Sequence, residues 1–71
     1  MTDYMTDYEQ RYKKALDAAE KVFESRDHAR EWLNAPLYLF GGGKAVDLLQ
    51  TDEGLRSVMS TLLSVEHGGV A

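Results

Sequence analysis

The stretch from Ala29 to Gly54, AREWLNAPLYLFGGGKAVDLLQTDEG, constrains this chain most. It carries the only Trp, the only Pro and four of the six Gly residues, with the densest run of large apolar side chains. On either side, apolar residues recur at steps of three and four, the spacing that puts them on one face of an α-helix. Such amphipathic segments need a surface to pack on, and this stretch supplies it. With no Cys among 71 residues, neither a disulfide nor a thiolate zinc site can staple the fold. A chain this short buries only about 60% of its unfolded surface, so the apolar hub must carry most of the stability.

The spacing of Tyr8, Tyr12, Ala15, Leu16, Ala19, Val22 and Phe23 predicts a helix from about Asp7 to about Glu24. Thr6 stands as its cap, with Glu9 placed to complete a capping box. The tetrapeptide Met-Thr-Asp-Tyr occurs twice at the start, too short a duplication to imply a repeat architecture. Residues 1–6 read as a frayed lead-in. Tyr4, Tyr8 and Tyr12 are expected to pack on the same domain rather than on a partner.

Ser25 offers a second cap, with Asp27 in the first turn of a helix whose inner face is Ala29, Trp32 and Leu33. Asn34-Ala35-Pro36 ends it, because a residue before Pro is pushed away from helical angles. Leu37, Tyr38, Leu39 and Phe40 have no second β-prone run to pair with, so they read as a buried connector. Gly41-Gly42-Gly43 permits a tight turn. A short helix from Lys44 to Gln50 follows, with Val46, Leu48 and Leu49 apolar. Thr51 caps the last helix, Asp52 and Glu53 suit its positive pole, and Leu55, Val58, Met59, Leu62, Leu63 and Val65 give its apolar positions. His67 suits the negative pole, and Gly68 stands just past the end. The expectation is a single all-α domain, residues 1–71, with two longer and two shorter helices. Its expected core is Trp32, Leu33, Leu37, Leu39, Val46, Leu48, Leu49, Val58 and Leu62.

Composition and motifs then exclude several functions. Lys plus Arg total 8 against 12 Asp plus Glu, a formal net charge of −4, and the cations are dispersed along the chain. Nucleic-acid binding draws its affinity from neutralised phosphates, so this chain is not expected to bind DNA directly. No apolar run approaches the roughly 20 residues that span a bilayer. The N-terminus lacks the basic-then-apolar layout of a signal peptide, so a cytoplasmic protein is expected. The Gly-Gly-Gly-Lys tetrad fails as a phosphate loop, which would need Gly at position 38 and Ser or Thr at 45; the chain has Tyr38 and Ala45. His28 and His67 are distant and lack a ligand-like cluster, so no metal is expected. Ser25, Ser57, Ser60 and Ser64 have no His and carboxylate placed to activate them. Neither an enzyme nor a cofactor is expected.

An interaction protein remains, and an ordered set of residues carries a resemblance. The set comprises Ala29-Arg30-Glu31-Trp32-Leu33, Asn34 to Pro36, Gly42-Gly43, Val46-Asp47-Leu48-Leu49, Thr51-Asp52-Glu53-Gly54, Val58, Leu62 and Glu66-His67-Gly68. From Ala15 to Gly68 the chain resembles the toxin-binding domain of Xre/MbcA/ParS antitoxins, partners of RES-domain toxins that consume NAD. Ala45 departs from the family's usual Pro at the first turn of the short helix, a favourable but replaceable residue. Many members also carry an N-terminal helix-turn-helix that these 71 residues lack. The resemblance thus implies toxin binding without operator binding.

The resemblance also implies neutralisation by occlusion, the last helix and tail plugging the toxin's NAD pocket. The matching residues are Glu66, His67, Gly68, Gly69, Val70 and Ala71. Gly68 and Gly69 let a tail leave the helix at a sharp angle. Val70 offers an apolar anchor, and a terminal carboxylate could meet the cations that hold the cofactor's phosphates. The bland alternative is a frayed end without a role. A rival from another class is a DNA-free oligomerisation or adaptor module, a homodimer paired through the tyrosine-rich first helix. An inhibitor of some unrelated enzyme is a third reading.

Overall fold

The computed structural model describes residues 6–37 and 40–68. Among them four helices form: α1 (Asp7–Phe23), α2 (Arg26–Asn34), α3 (Ala45–Leu48) and α4 (Asp52–Glu66). No strand forms among the described residues; the sole extended pairing is an isolated antiparallel bridge between Pro36 and Lys44. The protein is all-α.

Local chemistry sets the helix ends. Thr6 Oγ1 accepts the Glu9 amide at 3.1 Å and the Thr6 amide donates to Glu9 Oε1 at 2.8 Å, so both halves of the capping box are made. Ser25 Oγ accepts from His28, and Thr51 Oγ1 from Gly54, starting α2 and α4 in the same way. Glu24 ends α1 in the left-handed region at φ 57°. That residue reverses the chain so quickly that α2 folds back antiparallel along α1. Ala35 is extended, with ψ 141°, as the following Pro36 requires.

The connector closes on itself. The Leu37 amide donates to Gly43 and the Gly42 amide to Leu37, both at 3.0 Å. Gly41 and Gly42 hold φ at +66° and +87°, angles that a residue with a Cβ adopts only at a cost. Leu37 and Phe40 are half-buried against the core, while Tyr38 and Leu39 lie outside the described residues.

The short helix is shorter than the Lys44–Gln50 span expected. It is a single turn, Ala45–Leu48, because Lys44 gives it no side-chain cap and the chain turns at once towards α4. In that turn the Leu49 amide returns to Val46 and the Thr51 amide to Leu48.

The core joins all four helices. Ala15, Leu16 and Ala19 of α1 meet Ala29, Trp32 and Leu33 of α2, then Ala45 and Leu49, then Val58 and Leu62 of α4. The four alanines are fully enclosed, which lets the helix axes approach closely. Leu37, Val46 and Leu48, also expected in the core, pack half-buried along its edge. For Val46 and Leu48 that edge position follows from the single-turn α3, which has too little length to bury its whole apolar face. Trp32 sits between Phe23 and Phe40, with ring centroids 5.9 and 6.3 Å away. Its indole N–H has no partner among the described residues, so it contributes as apolar surface.

α1 and α4 run side by side in the same direction. Arg11, near the start of α1, donates to the carbonyls of Leu49 and Gln50 and to Asp52 Oδ1 at the start of α4. At the other end, Lys21 and Val22 lie beside Leu63 and Glu66.

Candidate functional site

The last turn of α4 places three of the residues expected to reach a partner. The His67 amide donates to Leu63 at 3.0 Å and the Gly68 amide to Val65 at 3.1 Å. Gly68 takes φ +84°. A left-handed glycine just past a helix satisfies the last carbonyls and sends the chain off in a new direction. Glu66 and His67 are exposed, and neither forms an ion pair among the described residues. Gly69, Val70 and Ala71 lie outside the described residues.

Beside this end, α1 and α4 leave an open groove of about 440 Å³. Ala18, Val22, Met59 and Leu63 form its apolar floor, and Lys14, Lys21 and Glu66 stand on its rim. Leu63 is 57% exposed, the single large apolar side chain left in solvent among the described residues. Asp17, also on the rim, is already engaged. It accepts from Lys13 at 3.1 Å and sits 3.6 Å from Arg26, and the Lys13 hydrogen bond holds its carboxyl below the usual range.

The sequence places Leu63 with Leu62 among the apolar positions of α4, without saying which of them faces the core. Adjacency alone does not separate them: neighbouring residues on a helix point about 100° apart, and both reach the core where the helix is flanked on two sides, as adjacent Trp32 and Leu33 do.

The remaining candidates are occupied internally. Tyr8 donates its hydroxyl to the Val46 carbonyl at 3.1 Å, and burial, with Asp47 nearby, pushes its phenol pKa up. Tyr12 packs half-buried on the same core, whereas Tyr4 lies outside the described residues. In the triple-glycine turn the Gly42 and Gly43 amides are bonded to Leu37 and Phe40 carbonyls. Those amides belong to the turn. Among the described residues, no three His, Cys, Asp or Glu side chains come together as a metal cage, and no helix is long and apolar enough to cross a membrane.

No curated protein and no solved structure significantly matches this chain. A family model does: the antitoxin Xre/MbcA/ParS C-terminal toxin-binding domain matches residues 18–68. The matched span begins at Ala18 on the floor of the groove and ends at Gly68, where α4 stops. It takes in α2, α3, α4, the glycine turn and the distal part of α1, which is the greater part of the chain, and the chain therefore belongs to the Xre/MbcA/ParS family of antitoxin toxin-binding domains.

Proposed function

We propose that this domain neutralises a RES-domain, NAD-consuming toxin by closing the toxin's active site with α4 and the tail that follows. Family membership supplies the antitoxin role. The choice of a RES-domain partner and the plugging mechanism extend that role by resemblance. The observation that best supports a plug is the end of α4, where exposed Glu66 and His67 precede a left-handed Gly68. A tail redirected there can enter a neighbouring cleft while the core behind it stays packed. Glu66, His67, Gly68, Gly69, Val70 and Ala71 are the proposed contact residues. In this reading the protein acts in the cytoplasm without a cofactor, performs no catalysis and leaves DNA binding to another chain or segment.

The test is a chain lacking Gly68 to Ala71, assayed against a cognate RES-domain toxin identified by co-purification. Its helical circular dichroism should match the parent, while inhibition of NAD consumption is lost. Unchanged inhibition refutes the plug. The adaptor reading has less to draw on, since Tyr8 and Tyr12 spend their aromatic surface on the chain's own core. A homodimer that survives loss of the tail, with no toxin bound, would restore it.

A further inference from the structure

We infer that the groove between α1 and α4 is a second toxin contact, receiving an apolar side chain of the toxin flanked by a carboxylate. The inference rests on the antitoxin role but not on the plug. A toxin-binding domain must offer apolar surface, because area removed from water is the main drive for association. Among the described residues the large apolar side chain most exposed is Leu63, and it lies on the floor of this groove.

Charge indicates what sits beside the apolar group. Lys14 and Lys21 stand two turns apart on the same face of α1, at the rim. Neither forms an ion pair among the described residues, and Asp17 between them is taken by Lys13 and Arg26. A carboxylate on the toxin would complete that rim. Size argues against a second copy of this chain. The groove draws on two half-faces of helices, short of the roughly 20–30 residues a side of a standard stable interface. It suits an extension of a larger contact, and Glu66 makes it continuous with the last turn of α4.

Three variants of the 71-residue chain test this against the same cognate RES-domain toxin, with affinity measured by interferometry and inhibition by NAD consumption. Leu63→Gln keeps helix propensity and side-chain size at an exposed position, so its melt should match the parent. Its affinity should fall at least tenfold. The double variant Lys14→Glu, Lys21→Glu should also weaken binding about tenfold, mostly through slower association, and reduce its salt dependence. Ala18→Arg, which fills the open floor, should weaken binding without loss of helical signal. Parent-like affinity in Leu63→Gln and in the lysine variant overturns the proposal. So does a Leu63→Gln chain that loses self-association while binding the toxin normally, an outcome that gives the groove to a second copy. The plug fails separately. Deletion of the tail without loss of inhibition sinks the plug alone, while weakened binding in Leu63→Gln still supports the groove.

Discussion

Gly54 has no room for a side chain. A Cβ there would fall 1.7 Å from the Leu48 carbonyl oxygen, a backbone atom that cannot swing aside. Gly54→Ala must therefore push α4 away from the turn after α3, and overpacking of this kind costs about 1–3 kcal/mol, sometimes more. We expect the upper end, read as a lowered urea midpoint with an unchanged slope. Gly41→Ala is the contrast, since a Cβ there meets nothing within 4 Å and only its positive φ is strained. A cost of about 1–2 kcal/mol is expected. Equal losses in the two variants would refute the close approach. The sequence reveals the first kind of constraint poorly. Three glycines in a row announce a turn through local chemistry, but a glycine inside Thr-Asp-Glu-Gly looks like part of a helix start. Its contact with Leu48 depends on the angle at which two helices meet. Leu63 hid similarly, since its exposure follows from where α1 lies.

At the scale of elements, the three side-chain N-caps were readable because such a cap is a relation between residues three apart. Thr6 with Glu9, Ser25 with His28 and Thr51 with Gly54 all formed in that way. The length of α3 was not readable, because Leu49 and Gln50 have ordinary helical propensity and the tertiary turn overrides it. Arg11 was equally silent in sequence, a cation on a helix face. In the fold it ties α1 to two carbonyls left at the α3–α4 junction. Arg11→Met keeps the stem but leaves both carbonyls without their donor, and about 1–3 kcal/mol should be lost. Arg11→Lys should recover only part, as one ammonium cannot reproduce the guanidinium fork. Asp52→Asn should matter little, because Asp52 is 78% exposed and its ion pair is screened by solvent. Urea melts of the three variants check that order. An Arg11→Met chain as stable as the parent would remove Arg11 from the junction.

For the molecule as a whole, Trp32 is the residue on which cooperativity turns. It is 8% exposed and touches aromatics from α1 and from the connector. Truncating such a side chain costs about 3–5 kcal/mol, against a total stability of about 0.05–0.15 kcal/mol per residue. Trp32→Ala should lose its cooperative thermal transition in circular dichroism. A cooperative melt within a few degrees of the parent would show the core to be centred elsewhere. The same-direction pairing of α1 and α4 has a further consequence, in the order of synthesis. Chains emerge N-terminus first, and an early α1–α2 hairpin can form while the rest is still being made. The groove cannot, since one wall comes from α1 and the other from α4. A ribosome halted before α4 releases a hairpin with an open core and without the groove, easy prey for proteases. The groove is thus completed in a single late step, when α4 docks along α1, the first made of the four described helices.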